Sequence, residues 1–204
     1  PVTPTGAAES ATIGGVISTN ARGMYAMKYG CAADNVSGIQ IVLPDGSFVN
    51  AGHRNLHSSA GLNLVDLFVG AEGTLGIVVG ATLRLHPRPA RVGHHYLQFD
   101  SVKTAAFFCE FLVNAVEGLA ACEILSRETI GFIRRAFPDC AFPDCGALVM
   151  MEVHNLPEPC PGDEDDGREW WLDDILNQGG SRVWVPPPGF DPWDARHRVT
   201  GVIS

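Results

Sequence analysis

Charge is scarce in this chain of 204 residues: Asp, Glu, Lys and Arg together make up 18%. Hydrophobic residues make up 46%, enough to bury one core or two small ones and too many for wholesale disorder. Basic charge is the scarcer sign, with 14 Lys and Arg against 23 Asp and Glu and a net charge of -9. No cluster of Lys and Arg exists, which argues against a nucleic-acid partner: neutralising a run of phosphates needs clustered cations. No apolar run approaches the roughly 20 residues of a membrane-spanning helix. An initiator Met and a targeting segment are also lacking. The chain opens on Pro1, which reads as a missing start and carries nothing about compartment. The six cysteines, Cys31, Cys109, Cys122, Cys140, Cys145 and Cys160, lack zinc spacing and the density of a disulfide framework. Cys109 and Cys122 lie in apolar stretches and read as small core residues. The near-duplicate Phe137-Pro138-Asp139-Cys140 and Phe142-Pro143-Asp144-Cys145 reads first as a Pro-broken loop, and only second as a metal or redox pair.

What is abundant is glycine, and it is unevenly used. Residues 1–90 read as strands, turns and short helices. Ile39 to Leu43 is a short apolar run, followed by Pro44-Asp45-Gly46 and then Ser47 to Asn50, a hairpin signal. Over Ile77 to His86, Ala81, Leu83 and Leu85 alternate with Thr82, Arg84 and His86, the period of a half-buried strand. Pro87 and Pro89 stop that pattern and place a domain boundary near residue 90. Residues 91–204 alternate strand and helix. Tyr96 to Phe99, Leu119 to Leu125, Leu148 to Val153 and Arg182 to Val185 are the strands. Ser101 caps a helix with Val102, Ala105, Ala106, Cys109, Leu112, Val113 and Val116 on its apolar side, closed by Gly118. Ser126 caps a second helix with Ile130, Ile133 and Phe137 on one side. The acidic run Asp163 to Asp166 reads as a solvated loop. Trp170, Trp171, Ile175 and Leu176 belong to a third helix ended by Gly179-Gly180. The expected class is α+β, with an antiparallel, ferredoxin-like sheet over 91–204.

Two glycine segments carry the chemistry. The first runs from Thr12-Ile13-Gly14-Gly15 through Thr19-Asn20-Ala21-Arg22-Gly23. Adjacent glycines let a ligand approach the backbone, and successive N–H groups there can cradle a pyrophosphate. A plain turn is the competing reading, and the segment is not the G-x-G-x-x-G of a nicotinamide site. The second is Gly70-Ala71-Glu72-Gly73-Thr74-Leu75-Gly76-Ile77-Val78, an acid and two glycines directly before a strand. There a carboxylate can accept a ribose hydroxyl, and the amides can meet a base edge. A loop entering a strand is the alternative.

Taken together, TIGGVISTNARGMYAMKYG, DNVSGIQIVLPDGSFV and SSAGLNLVDLFVGAEGTLGIVVGATLRLHPRP resemble one family in one order. They are similar to the FAD-binding fold of the vanillyl-alcohol oxidase type (PCMH type). Within it they resemble the FAD-linked 2-hydroxyacid dehydrogenases, the group of cytochrome-linked D-lactate dehydrogenase and glycolate oxidase. The resemblance covers nearly all of 1–90 strongly and the rest weakly. It implies that 1–90 is the C-terminal part of an FAD-binding domain and 91–204 the N-terminal part of a cap, or substrate, domain. It implies FAD contacts from Thr12, Gly14, Gly15, Thr19, Asn20, Ala21 and Arg22 at the pyrophosphate and flavin, and from Glu72, Gly73, Thr74, Leu75, Gly76 and Ile77 at the adenosine end. Arg22 departs from the small residue usual there, and could pair with phosphate or crowd the site. Trp193-Asp194-Ala195-Arg196-His197 is similar to the family's W-x-x-R segment, which makes Arg196 the ligand of the substrate carboxylate. A guanidinium fork suits that task, and a surface salt bridge is the alternative. Thr200, four residues on, matches a substrate position of 2-hydroxyglutarate-type relatives.

The implied activity is FAD-dependent oxidation of a small D-2-hydroxy acid, D-lactate to pyruvate first. Hydride passes to the flavin, and electrons leave to an acceptor such as cytochrome c. A mitochondrial location is implied for a eukaryotic source and a cytoplasmic one otherwise. The family also uses an upstream glycine-rich phosphate loop and a downstream histidine pair with a carboxylate that hold a divalent metal. Neither is found here, so the chain is expected to be an internal piece that binds FAD poorly and turns over little alone. His94 and His95 are neighbours on a strand and point to opposite faces, so they cannot easily share a metal. His53, His57 and His86 read as surface residues, and His154 as a strand end. The alternatives are an inactive truncated fragment or paralogue, an alkylglycerone-phosphate synthase (which shares TIGG-x-x-S-T), a D-2-hydroxyglutarate dehydrogenase relative, and a protein-binding module presenting Trp170-Trp171.

Overall fold

Strand Val36–Val42 (β1) alternates Ile39 and Ile41 inward with Gln40 outward, and this alternation organises the first half of the molecule. The computed structural model describes residues 11–53, 61–155 and 182–196. These fall into two compact units that divide between Arg88 and Pro89. The class is α+β. In the first unit, helices Ile13–Ser18 (α1), Ala26–Tyr29 (α2) and Ala32–Asn35 (α3) precede β1; Phe48–Gly52 (β2), helix Val65–Phe68 (α4) and Ile77–Leu83 (β3) follow. The sheet order is β2-β1-β3, antiparallel throughout. Ile17 of α1 and Val65 of α4 pack with Ile39, Ile41 and Ala51 into its core. Burying each such aliphatic side chain contributes roughly 1.5–3 kcal/mol.

The hairpin forms at the expected Pro44-Asp45-Gly46. Gly46 takes φ 81°, the Leu43 and Ser47 main chains pair at 2.9 Å, and Asp45 Oδ1 accepts the Ser47 N–H at 2.9 Å. The alternation expected along β3 is corrected: Ala81 and Leu85 are exposed, while Val78 and Leu83 face the core. β3 ends at Leu83, before Leu85, and its pairing with β1 is shifted opposite Val36 to Gly38 and opposite Gln40 to Ile41, which breaks the simple alternation. His86 is also corrected. Its Nε2 lies 2.7 Å from Oδ1 of buried Asn35, and its ring lies 4.9 Å from that of Tyr29. Asn35 spends its amide on the Tyr29 and Cys31 carbonyls, so this network ties the end of the unit to the α2–α3 loops.

In the second unit, Val92–Phe99 (β4), helix Val102–Ala115 (α5), Leu119–Ser126 (β5), helix Arg127–Ala136 (α6), Ala147–His154 (β6) and Arg182–Val183 (β7) succeed one another. Residues 192–196 add a helical turn, α7. The strands pair antiparallel in the order β5-β6-β4-β7. Ser101 and Ser126 cap α5 and α6, each Oγ accepting an N–H at 3.2 Å. The buried side of α5 is Ala105, Phe108 and Leu112, with Cys109 and Val116 beside them. Val102 and Val113 are exposed. That corrects the expected face, because bulky Phe108 claims the position against Phe99 at a ring distance of 5.1 Å and turns the helix accordingly. Every residue of β6 is buried, since the sheet is covered on both faces. Among the described residues no helix is long and apolar enough to cross a membrane. The acidic run 163–166, the third helix with Trp170 and Trp171, Cys160, His57, His197 and Thr200 lie outside the described residues.

Candidate functional site

The first glycine segment is a short helix rather than a turn. Thr12, with extended backbone, N-caps α1, and its Oγ1 accepts the Gly15 N–H at 3.1 Å. The Ile13 and Gly14 amides head the helix, where main-chain donors have no acceptor inside it. The glycine pair costs the helix up to about 1 kcal/mol per residue relative to alanine. The fold itself does not require either residue. A Cβ on Gly14 would sit 3.5 Å from the Val78 carbonyl, an ordinary contact, and one on Gly15 would lie 3.1 Å from the capping Thr12 hydroxyl, a tight contact. Thr12, Gly15, Thr19 and Arg22 are exposed, and Gly14, Asn20 and Ala21 are partly so.

At its other end α1 is tied to the second segment. The Ile17 carbonyl accepts the Gly70 N–H at 3.0 Å, and the Ser18 carbonyl accepts the Glu72 N–H at 2.9 Å. Asn20 takes φ 47°, and its Oδ1 accepts the Ala33 N–H at 3.0 Å, which pins the loop after α1. Thr19 Oγ1 donates to the Gly15 carbonyl at 2.9 Å. The structure thus joins two segments more than fifty residues apart through main-chain hydrogen bonds. Glu72, Gly73, Thr74, Leu75 and Ile77 all lie exposed beside this junction, with Gly76 half-buried. Gly76 is demanded by the fold: its φ is 157°, and a Cβ would come within 2.6 Å of Ile41 Cγ2 and 2.8 Å of the Val42 carbonyl. Nearby, hydrogen bonds from the Cys31 thiol and amide hold the Asp34 carboxyl below its usual range, with a smaller pull from Arg22.

In the second unit, Asp191 opens α7 by accepting the Trp193 N–H at 2.9 Å, and Pro192 takes the first helical position, where no N–H is needed. Arg196 ends the turn, and one guanidinium nitrogen lies 2.9 Å from Glu123 Oε1 on β5. Both side chains are mostly covered. Register puts more polar groups on the same sheet face. Glu123 stands opposite Met150, and His94 opposite Glu152, while His154 lies two residues along from Glu152. Glu152 is buried with its Oε2 3.1 Å from His94 Nε2 and its Oε1 2.6 Å from His154 Nε2. The His94 ring lies 6.0 Å from that of Trp193. Burial pushes the Tyr96 hydroxyl up to about 12. Sequence reasoning missed Glu123, His94, Tyr96 and Glu152 as partners on the Arg196 face. Each sits on an alternate strand position, but only the register makes them neighbours. Cys140 and Cys145 are buried, and no group of His, Cys, Asp and Glu among the described residues is arranged to hold a metal ion.

Hydrogen bonding to Glu152 raises the His94 pKa, against the opposing effect of burial, with smaller support from the charges of Glu152 and Asp191. A raised folded-state pKa means that this contribution to stability is complete below the unfolded value near 6.5. It is lost as pH rises through the folded value. His94→Gln is therefore expected to lose more stability relative to the parent at pH 5.5 than at pH 8.5, as read by urea unfolding. An equal deficit at both pH values would refute the linkage.

Comparison with known proteins gives the chain's homologues. Residues 2–52 match the FAD binding domain family. The chain is 44% identical over 180 residues to a D-lactate dehydrogenase of Anaerostipes hadrus, covering 85% of this chain and 35% of that one. The chain carries part of an FAD binding domain and is a homologue of D-lactate dehydrogenases and of a glycolate oxidase subunit. The mitochondrial D-lactate dehydrogenase [cytochrome] 1 of Saccharomyces cerevisiae is a further relative, 41% identical over 123 residues, 60% of this chain and 21% of the yeast protein. Against solved structures, an alkyldihydroxyacetonephosphate synthase superposes with a TM-score of 0.71 at 20% identity, over 100% of this chain and 40% of that one. At that identity the likeness is one of fold alone. The chain thus spans between about a fifth and two fifths of the proteins it matches. The α1 segment from Thr12 to Arg22 falls inside the matched FAD binding domain, whereas the Glu72–Ile77 loop and Arg196 fall outside it.

Proposed function

We propose that this protein oxidises a small D-2-hydroxy acid, D-lactate first, with FAD as the hydride acceptor. The observation that carries the reading is the main-chain junction between α1 and the Gly70–Glu72 turn, on the surface of a unit that contains an FAD binding domain. Thr12, Gly14, Gly15, Thr19, Asn20, Ala21 and Arg22 would hold the pyrophosphate and flavin. The residues from Glu72 to Ile77 would hold the adenosine end. The residues fit such a group. The glycines of α1 leave main chain open without any need of the fold, and the exposed Arg22 guanidinium suits a phosphate. Bound FAD supplies the two-electron acceptor at its flavin ring.

The second unit has the strand order of a ferredoxin-like sheet, which supports reading it as the cap, or substrate, domain. Arg196 would take the substrate carboxylate with the donors that Glu123 leaves unused, since a guanidinium has five. The partial neutralisation by Glu123 fixes the orientation of the fork. Thr200 would be a second substrate contact. Electrons would pass to an acceptor such as cytochrome c, and a eukaryotic source would place the protein in the mitochondrion. The yeast relative's name, cytochrome-linked and mitochondrial, supports both.

As the chain alone is expected to turn over little, the test is run on the longest protein expressed from its gene: its visible spectrum with FAD, followed by anaerobic addition of D-lactate, glycolate and D-2-hydroxyglutarate. Flavin bleaching fastest with D-lactate is expected; bleaching by none of the three sinks the reading. A companion variant separates fold from cofactor. Gly15→Ala is expected to change unfolding stability by less than about 1 kcal/mol, because the helix gain offsets the tighter Thr12 contact. It is also expected to weaken FAD binding about tenfold, read by flavin fluorescence titration. Unchanged FAD affinity would remove α1 from the site.

A further inference from the structure

Away from the surfaces described so far, the second unit holds two thiols that the proposed reaction does not use. Cys109 stands on α5 and Cys122 on the adjacent strand β5, with their sulfur atoms 3.4 Å apart. Both pack at the edge of the core beneath α5, and both keep partial exposure. A molecule the size of peroxide can therefore reach them. We propose that Cys109 and Cys122 are an oxidation site, where hydrogen peroxide forms a disulfide that fastens α5 to β5.

The chemistry is directional. The Cys122 thiol donates to the Cys109 sulfur, which favours the Cys109 thiolate and lowers its pKa. The same bond, together with burial, pushes the Cys122 thiol up. Cys109 is thus the attacking sulfur. Its thiolate takes one oxygen of peroxide, breaking the O–O bond and releasing hydroxide, and becomes a sulfenic acid. The hydroxide removes the Cys122 proton as water. The Cys122 sulfur then attacks the Cys109 sulfur, an S–S bond forms, and the sulfenic oxygen leaves as hydroxide, which takes up the proton that Cys109 first released. In sum two thiols and one peroxide give one disulfide and two waters.

The geometry asks for little movement. A disulfide is about 2.05 Å long, so the sulfurs must close by roughly 1.3 Å through side-chain rotation. The other described thiols are placed differently. Cys140 and Cys145 are buried, with the Cys145 thiol pushed up by burial, and Cys31 donates to Asp34 at 3.0 Å. The inference does not depend on the flavin reading, because it concerns only the packing of α5 on β5.

The experiment treats the purified, pre-reduced protein with a small excess of hydrogen peroxide, quenches it, and maps peptides without reduction. A peptide linking Cys109 to Cys122 is expected, with the mass lowered by two hydrogens and restored by dithiothreitol. The thermal midpoint should rise by on the order of 5–10 °C in the oxidised form. Cys109→Ser should abolish the link and the shift. Cys122→Ser should instead leave a sulfenic acid at Cys109, trapped by dimedone. If Cys109 advances to sulfinic or sulfonic acid in the parent without a bridge, or if peroxide links other cysteines first, the proposal is overturned. A folded Cys109→Ser variant that keeps the same midpoint shift overturns it too.

Discussion

Arg196→Met is expected to lower kcat/KM for D-lactate by at least about 100-fold while the protein stays folded. The guanidinium is mostly covered, and Glu123 holds it at 2.9 Å. On the proposed reading its remaining donors would be held by that contact and would need little ordering when a carboxylate arrives. Losing a charge-assisted, two-pronged hydrogen bond of this type costs on the order of 3 kcal/mol, which corresponds to that rate factor. The variant also leaves the Glu123 carboxylate without its cation in a partly covered position, so some stability loss is expected alongside. Arg196→Lys separates the two effects. It keeps a charge for Glu123 but loses the planar fork, so stability should return while kcat/KM stays low. Steady-state kinetics and urea unfolding on the same preparations check both arms. Parental kcat/KM in a folded Arg196→Met would end the assignment of this residue to the substrate.

The second large effect concerns a glycine that no motif marks. Gly146→Ala is expected to destabilise the second unit by roughly 3–5 kcal/mol. A Cβ there would lie 1.8 Å from the Asp100 carbonyl oxygen, 2.1 Å from its carbon and 2.7 Å from the Ser101 nitrogen. All three are main-chain atoms, so no side chain can swing aside. The Gly146 carbonyl also accepts the Arg127 N–H at 3.1 Å, and Ser101 is the cap of α5. Displacement would thus disturb the starts of α5, α6 and β6 together, and overpacking of that kind reaches the upper range of single-residue effects. A fall of more than about 10 °C in the thermal midpoint is expected by circular dichroism. A midpoint within 2 °C of the parent, allowing for about 1 kcal/mol, would show that this close approach does not exist in solution.

The contrast among glycines shows how far a sequence can be read. Gly14 and Gly15 attract attention because they are adjacent, yet a Cβ would make an ordinary contact at Gly14 and only one tight contact, with Thr12, at Gly15. Gly146 attracts none, and the packing of three elements depends on it. The same limit explains the β3 alternation. Ala81, Leu83 and Leu85 carry the period of a strand, but the pairing with β1 is shifted twice and β3 ends at Leu83, which is the one of the three that faces the core. His86 read as surface because nothing local pairs with it; its partner Asn35 is 51 residues away.

Local chemistry by itself determined the hairpin at Pro44-Asp45-Gly46, the serine caps of α5 and α6, the strands β4 to β6 and the two glycine segments. Each of these depends on dihedral preferences or hydrogen bonds within a few residues. Only the tertiary structure decided that the two glycine segments meet through the Ile17 and Ser18 carbonyls. It alone put Glu123 against Arg196, set Glu152 between His94 and His154, and brought the Cys109 and Cys122 sulfurs together. Those contacts follow from strand register and helix rotation. Both are set by the sum of many weak packing terms across the core, and no short stretch of chain records that sum.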